Sequence, residues 1–132
     1  MARETTERPA PELKVKLQVT CGSEVAMGPG KADLLEAIAR EGSISAAARA
    51  LGMSYRRAWL LVDTMNRCWS KALVETGPGS PGRAGAHVTE FGRRALAAYR
   101  AMQARSEGLR AGQDWEGLRA MLRREPRQHQ KD

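Results

Sequence analysis

Hydrophobic and polar positions follow a helical spacing between residues 54 and 69. Five apolar residues recur there at intervals of three and four, so they fall on one stripe of an α-helix: Ala58, Leu61, Val62, Met65 and Trp69. Ser54 stands just before this pattern, where its hydroxyl can cap the first turn. We therefore predict a helix over residues 55–69 whose apolar stripe faces a core, with Trp59 at the edge of the stripe and packed against that core.

A second, shorter pattern precedes this helix. Ser45 is a candidate N-cap for three alanines at 46–48, small residues that allow another helix to approach closely, and Leu51 closes the pattern. Gly52 stands between the two helices, where a residue without Cβ avoids the steric cost of a positive φ. Two short helices around a sharp turn predict a helix-turn-helix that exposes the polar face of its second helix.

A hairpin with a polar loop follows. Leu73–Glu75 predicts a strand, the Gly- and Pro-rich run Gly77–Gly85 a loop, and His87–Thr89 the returning strand. Backbone N–H groups and the guanidinium of Arg83 near the loop tip suit a phosphate backbone or a minor groove. An ordinary hairpin loop has the same composition. The preceding helix-turn-helix is what favours the interpretation of residues 77–86 as a wing.

The chain before the helix-turn-helix divides into three segments. Residues 1–12 hold mixed charge and two prolines without periodicity, which predicts a disordered tail. Leu13–Val19 alternates apolar and polar positions, which predicts a half-buried strand. Gly28-Pro29-Gly30 then precedes a helix that ends at Gly42-Ser43. Its apolar positions should cover the helix-turn-helix: Leu34, Leu35, Ile38 and Ala39.

After the hairpin, Thr89 is a candidate N-cap for a helix from Glu90 to about Arg110. Such a helix extends beyond a small domain, and a further short helix repeats an apolar stripe: Trp115, Leu118, Met121 and Leu122. We predict that Leu109–Leu122, with the late part of the long helix, forms a dimer interface. An intramolecular fold-back is the alternative, and residues 123–132 form a polar, disordered tail.

The predicted fold class is mainly α with a small β-sheet (α+β), a winged helix-turn-helix with a long C-terminal dimerisation helix. The winged helix-turn-helix covers residues 13–105, and a helical dimerisation extension covers residues 106–122. Disordered tails complete the chain at residues 1–12 and 123–132.

Three motifs carry a resemblance to a known family. GSISAAARALGMSYRRAWLLVDTMN, the Gly-rich hairpin and VTEFGRRAL resemble the N-terminal DNA-binding domain of the ModE-type molybdate-responsive regulators, a winged-helix relative of the LysR-type domain. The resemblance covers roughly residues 14–102, with Asn66 and Gly92 among its anchors. It implies a dimeric bacterial transcription regulator that inserts its second helix in the major groove. It also implies that the strand at 13–19 pairs with the wing hairpin in a three-stranded sheet.

Charge favours a polyanionic partner. The 132 residues hold 22 Lys and Arg against 15 Asp and Glu, a net charge of +7, with an isoelectric point near 10.1. From Ser43 to Arg94, eight basic residues stand against three acidic ones, so +5 of that charge falls on the helix-turn-helix and wing. A basic surface of this kind is typical of proteins that bind nucleic acid.

Candidate DNA contacts follow from this arrangement. We expect Tyr55, Arg56 and Arg57 to carry most of the sequence discrimination, and phosphate contacts to supply affinity. Ser54 can donate to a phosphate at the start of the helix. The full set expected at DNA is Ser45, Ser54, Tyr55, Arg56, Arg57, Leu60, Thr64, Arg67, Lys71, Arg83 and Arg93.

These expectations define a sequence-specific DNA-binding transcription regulator that binds an inverted-repeat operator as a homodimer through recognition helix 55–69 and wing 77–86. Two alternatives stay open at this point. The fold can serve as a protein-interaction module, since a fold does not determine a function. The chain can also be a non-specific DNA-binding protein without a regulatory ligand.

Other functions find little support in the sequence. No paired carboxylates, no Ser, His and Asp arrangement and no GxxxxGK[ST] loop are present, so we expect no enzyme. Cys21 and Cys68 lack CxxC spacing and stand with only two histidines, so we expect no metal site and no cofactor.

The sequence also bears on the cellular compartment and on oxyanion binding. Two unpaired thiols and a charged N-terminus without an apolar run predict a cytoplasmic protein with no membrane partner. The roughly 27 residues after Arg105 hold no strand pattern, and so we expect no molybdate or other oxyanion site there.

Overall fold

The computed structural model describes residues 10–78 and 84–130. Its helices and strands follow the order expected of a winged helix: β1 Val19–Cys21, β2 Glu24–Met27, α1 Pro29–Glu41, α2 Ile44–Leu51, α3 Tyr55–Cys68, β3 Val74–Pro78, β4 Ala84–Val88, α4 Glu90–Glu107 and α5 Gln113–Met121. A 3-10 turn, Gly108–Ala111, joins α4 to α5. The predicted class, mainly helical with a small β component in a winged helix-turn-helix, is confirmed.

One hydrophobic core joins α1, α2 and α3 to both hairpins. Its largest fully buried side chains come from most of these elements: Met27, Leu34, Leu35, Ile38, Val62, Met65, Leu73 and Val88. Ala39, predicted to lie on the apolar face of α1, is exposed, and Ala37 is buried instead. Helical spacing places the two alanines at opposite edges of the stripe formed by Leu34, Leu35 and Ile38, so the elements packed against each edge decide which alanine is buried.

The helix-turn-helix has the predicted turn but a different first cap. Gly52, at φ 70°, ends α2 in the left-handed region, as expected of the residue between the two helices. Ser43, not Ser45, is the N-cap of α2, and its Oγ accepts a hydrogen bond from the Ala46 N–H at 3.1 Å. The prediction for Ser45 is wrong because α2 begins at Ile44, almost directly after Gly42 ends α1 at φ 81°.

The predicted strand at 13–19 and the three-stranded sheet are not found. In the described part of the chain, β1 pairs only with β2 and β3 only with β4, both antiparallel. Residues 13–19 do alternate between half-buried and exposed, as predicted. The sheet differs because the turn at Gly22, φ 59°, folds β1 back on β2. The hydroxyl of Tyr99 also donates a hydrogen bond to the Leu17 carbonyl at 2.8 Å.

The wing hairpin is longer than the sequence predicted. Its ladder runs from Val74 opposite Val88 to Pro78 opposite Ala84, so Gly77 and Gly85 are paired residues rather than loop residues. The connecting residues 79–83, and with them the predicted contact Arg83, lie outside the described part of the chain. The strands were predicted too short because Gly, Pro and Ala, which have low strand propensity, occupy the loop end of the hairpin.

Thr89 caps α4 as predicted, but the prediction that the returning strand includes Thr89 is wrong, because β4 ends at Val88. Its Oγ1 accepts a hydrogen bond from the Gly92 N–H at 2.9 Å and donates one to the Ala72 carbonyl at 2.7 Å. Its N–H also donates to the Leu73 carbonyl at 2.9 Å. The start of α4 is thereby joined to the two residues that directly precede β3.

The described residues divide into two compact units. One contains Lys16–Ala104, with the core, the helix-turn-helix and the wing hairpin. The other contains residues 10–15 together with the chain from Arg105, including α5. Within this second unit, Arg110 Nε donates to the Leu13 carbonyl at 2.7 Å. The domain limits predicted at 13–105 and 106–122 stay predictions.

Candidate nucleic-acid interface

The side chains of α3 fall into four rows around its axis, because residues four apart lie nearly above one another. One row is buried, as predicted, and fixes the helix to the core: Ala58, Val62 and Met65. Ser54 caps the helix as predicted, its Oγ accepting from the Arg57 N–H at 3.0 Å. The other three rows are available to a ligand.

The row opposite the core faces away from the protein interior. Arg56 and Leu60 form its first two turns, and Leu60 keeps 53% of its surface exposed. Thr64, at the edge of this row, is half-buried. An apolar side chain between a guanidinium and a hydroxyl on a protruding helix can contact base edges and a thymine methyl group.

Arg67, at the end of the exposed row, is already occupied by two carboxylates. Its Nε donates to Asp63 Oδ2 at 2.9 Å, and its NH1 lies 3.4 Å from Glu24 Oε2. The hydrogen bond that Arg67 donates to Asp63, together with the negative charge of that carboxylate, raises the pKa of Arg67 above its ordinary value. Asp63 lies four residues before Arg67 on the same face of the helix, but Glu24 is far away along the chain, so the sequence pattern did not reveal this second partner.

One flank of α3 is aromatic. Tyr55 and Trp59 meet edge to face with ring centroids 6.4 Å apart, and the Trp59 indole N–H donates to the Tyr55 hydroxyl. The prediction that Trp59 packs against the core is wrong, because 38% of its surface is exposed. A cavity of about 180 Å³ lies beside this pair, between α2 and the base of the wing, and Ser45 lines it.

The other flank of α3 is cationic. Arg57 and Leu61 line a second cavity, of about 190 Å³, together with Lys16 and Lys31. Burial lowers the pKa of Lys31, and the charge of Arg57 lowers it further, while Cys68 and Glu24 act in the opposite direction. Lys16 and Lys31 were not among the predicted contacts, because they stand outside the helix-turn-helix in the sequence.

Asn66 fixes the far end of α3 to the wing. Its Oδ1 accepts from the N–H groups of Leu73 and Val74 at 2.8 and 3.2 Å, and its Nδ2 donates to the Val74 carbonyl at 3.0 Å. Sequence reasoning noted Asn66 only as an anchor of the resemblance. Asn is a poor helix former, so its place inside a helix was the available signal for such a role.

Trp69 fixes the same end of α3 to the first hairpin. Its indole N–H donates to the Ala26 carbonyl at 3.0 Å. The exposed rows of α3 are therefore held rigidly, because both neighbouring hairpins bond to the residues at the end of the helix.

Two predicted basic contacts lie away from both cavities beside α3. Lys71 is exposed in the turn after the helix. Arg93 lies in the first turns of α4 and lines a separate cavity between α1 and α4, where Arg100 also lies. There Arg100 bridges Glu36 and Asp33, each at 2.8 Å.

The two thiols, distant in sequence, are neighbours in the fold. Cys21 lies opposite Glu24 in the first hairpin, and Cys68 ends α3. Desolvation and the adjacent Cys21 thiol raise the pKa of Cys68. Within residues 10–78 and 84–130, no group of three His, Cys, Asp or Glu side chains could hold a metal ion. No helix in that part of the chain is long and apolar enough to cross a membrane.

Comparison with known families matches this arrangement. Residues 31–93 match the family of bacterial regulatory helix-turn-helix proteins of the lysR type. These residues run from α1 to the start of α4 and so include the helix-turn-helix and the wing hairpin.

Three relatives carry the predicted resemblance. The chain is 46% identical over 70 residues to the molybdenum transport protein ModE of Azotobacter vinelandii, covering 53% of this chain and 26% of that protein. It is 44% identical over 73 residues to the molybdenum-pterin-binding protein MopA of Rhodobacter capsulatus, covering 55% and 28%. It is 37% identical over 87 residues to the DNA-binding transcriptional dual regulator ModE of Escherichia coli K12, covering 66% and 32%. The chain thus spans about a third or less of these relatives.

A solved structure supports the fold. The full-length LysR-type regulator LysG of Corynebacterium glutamicum, with bound effector Arg, aligns over 73% of this chain and 30% of its own with a TM-score of 0.50 and 26% identity. The predicted resemblance to ModE-type and LysR-type DNA-binding domains is confirmed.

Proposed function

We propose that this protein is a transcription regulator that reads duplex DNA with α3, since residues 31–93 match the family of bacterial regulatory helix-turn-helix proteins of the lysR type. One observation carries the proposal most directly. The row of Arg56 and Leu60 is exposed on a helix that Asn66 and Trp69 hold rigidly at its other end. A helix of this width fits the major groove, which is about 12 Å across.

Within the groove, Arg56 is the principal base-reading side chain, since a guanidinium can bond both acceptors of a guanine edge. Tyr55 adds contacts from the same turn, and Leu60 and Thr64 face the groove beyond it. Ser45, Ser54, Lys71 and Arg93 contribute phosphate contacts, as does Arg83, which lies outside the described residues. We place the protein in the cytoplasm, where such DNA is found.

We further propose that the protein binds DNA as a homodimer. The C-terminal unit exposes several large apolar side chains, by 52–82%: Leu109, Leu118, Met121 and Leu122. A second copy of the chain would remove this surface from water. Two recognition helices related by a two-fold axis would then read an inverted repeat with half-sites about one helical turn apart or farther.

Selection from random DNA at physiological salt tests the function. Recovery of a palindromic motif supports a sequence-specific dimer, and recovery of a single, non-repeated motif supports sequence reading but overturns the inverted-repeat operator. Enrichment without any motif identifies a general DNA-binding protein. Absence of binding at low salt removes DNA as the partner and favours a protein-interaction module.

The role of Arg56 has its own test. Arg56→Ala should cost about 1–3 kcal/mol on the selected duplex and relax the base preference at one position. Its effect on random-sequence DNA should be much smaller. Equal losses on both duplexes would remove base reading from Arg56.

The homodimer is tested by the mass of the protein in solution. The wild-type chain should have twice the monomer mass of 14.5 kDa, and Leu118→Lys should shift the population to monomers while leaving the melting of the DNA-binding unit unchanged. A monomeric wild type at the concentrations used for DNA binding overturns the dimer but not the DNA-binding role of α3.

We do not extend molybdate binding to this chain. The names that refer to molybdenum describe the relatives, and the described residues after Arg105 form the end of α4, a 3-10 turn and the nine-residue α5, with no strand among them.

A further inference from the structure

The cationic cavity beside α3 draws its charges from three separate parts of the chain. Lys16 precedes β1, Lys31 lies in the first turn of α1, and Arg57 lies in the first turn of α3. Their distances along the sequence make this convergence a property of the fold. The cavity has a volume of about 190 Å³, enough for one small polar group with part of its hydration.

Among the described residues, none of these three charges has a carboxylate as an ion-pair partner within 4 Å. Glu24 acts on Lys31 from a distance, but its carboxylate lies 3.4 Å from the guanidinium of Arg67. The lowered pKa of Lys31 reflects burial and the repulsion of Arg57. An anion among the three would relieve that repulsion.

The position of the cavity indicates which anion binds. A helix about 10–12 Å wide fills a major groove about 12 Å across, so its two flanks face the sugar-phosphate backbones of the two strands. Arg57 lies on one such flank, the row next to that of Arg56 and on the side away from Tyr55 and Trp59. A cavity on this flank therefore meets phosphates, and not base edges.

We propose that Lys16, Lys31 and Arg57 together bind the phosphate oxygens of one DNA strand beside the groove that α3 enters. This inference rests on the proposed function and refines it. Arg57, which the sequence grouped with the base-reading residues, contacts the backbone and adds affinity without sequence preference. We call Lys16, Lys31 and Arg57 the phosphate clamp. The clamp also fixes the rotation of α3 about its axis, because it joins α1 and the segment before β1 to the same DNA strand.

Salt dependence tests the clamp. The affinity falls as salt rises, and each lost phosphate contact should make the slope of log affinity against log salt less steep by about 0.9. Lys16→Gln and Lys31→Gln should each weaken binding to the selected duplex and to a random-sequence duplex by the same factor. Arg40→Gln is the matched control, since Arg40 lies at the other end of α1 and, within the described part of the chain, forms an ion pair only with its exposed neighbour Glu41. Its slope should equal that of the wild type.

Folding and anion source are separated by two further measurements. Lys16 is exposed, so Lys16→Gln remains informative even if Lys31→Gln lowers the melting temperature. Inorganic phosphate at constant ionic strength should leave the wild-type melting temperature unchanged. A rise that Lys31→Gln abolishes would identify a free-anion site and overturn the DNA clamp.

The outcomes also separate this inference from the proposed function. If Arg56→Ala relaxes base preference while both lysine variants keep the wild-type slope, α3 reads DNA but the clamp is wrong. If Arg57→Gln relaxes base preference at one position, Arg57 reads bases and the clamp is wrong again. If no variant and no wild-type protein binds DNA, the proposed function itself fails.

Discussion

The side-chain amide of Asn66 pairs with the backbone of Val74 as a neighbouring strand would. Oδ1 accepts the Val74 N–H at 3.2 Å and Nδ2 donates to the Val74 carbonyl at 3.0 Å, with a further bond from the Leu73 N–H at 2.8 Å. One side chain thus joins the recognition helix to the strand that opens the wing.

Asn66→Ala should lower the free energy of unfolding by about 1–3 kcal/mol, because it leaves buried or half-buried backbone groups of Leu73 and Val74 without partners. Denaturant titration measures this loss. Asp63→Ala, on the exposed face of the same helix, should change stability by less than about 0.5 kcal/mol. A loss for Asn66→Ala as small as this control would show that water replaces the amide.

Gly92→Ala should unfold or severely destabilise the winged helix. A Cβ at this position would lie 2.3 Å from the Leu73 carbonyl oxygen and 2.8 Å from Val88 Cγ1, neither of which can move freely. Overpacking of this kind costs about 1–3 kcal/mol and more where backbone is involved. Gly30→Ala is the control, since nothing lies within 4 Å of its added Cβ. Equal melting temperatures for the two variants would contradict the close approach of α4 to Leu73.

Stability should fall in acid partly through Glu36. The hydrogen bond from Arg100 lowers the pKa of Glu36 below its ordinary value of 4.5, so the folded state favours the carboxylate. The resulting stabilisation is present above pH 4.5 and is lost as pH falls through the lower folded-state pKa.

Glu36→Gln should therefore flatten the acid side of the stability profile measured by urea titration at several pH values. The effect is modest because 45% of the side chain is exposed. Glu41→Gln removes one negative charge from the same helix and is the control for the loss of a carboxylate, since among the described residues Glu41 forms an ion pair only with the neighbouring Arg40. A wild-type slope in Glu36→Gln would show that the ion pair between α1 and α4 does not couple to folding.

Asp63→Asn should tighten binding to random-sequence DNA. It removes a negative charge from the exposed row of α3 and weakens the hold on Arg67, whose Nε lies 2.9 Å from Asp63. Fluorescence anisotropy at low and high salt should show an increased salt slope as Arg67 reaches a phosphate. Asp33→Asn, distant on α1, controls for net charge. Unchanged affinity would mean that Glu24 alone keeps Arg67 from DNA.

The recognition helix, its Ser54 cap and the Gly52 turn were predictable from local signals alone. Apolar spacing, a capping hydroxyl and a residue able to adopt φ 70° each act within a few residues. The N-cap of α2 is Ser43 and not the predicted Ser45. A serine at either position can cap a helix, and only the left-handed Gly42 that ends α1 decides between them.

Contacts between distant residues were beyond the sequence. Helical spacing placed Arg56, Arg57 and Arg67 on the same protruding helix, but it could not show that Glu24 neutralises Arg67 or that Lys16 and Lys31 surround Arg57. It likewise could not pair β1 with β2 instead of with the wing. Periodicity and capping are properties of one segment, so the sequence by itself determined the helices, their exposed rows and the basic character of the surface. Ion pairs, cavities and strand partners depend on which segments meet in space, and those were decided only by the tertiary structure.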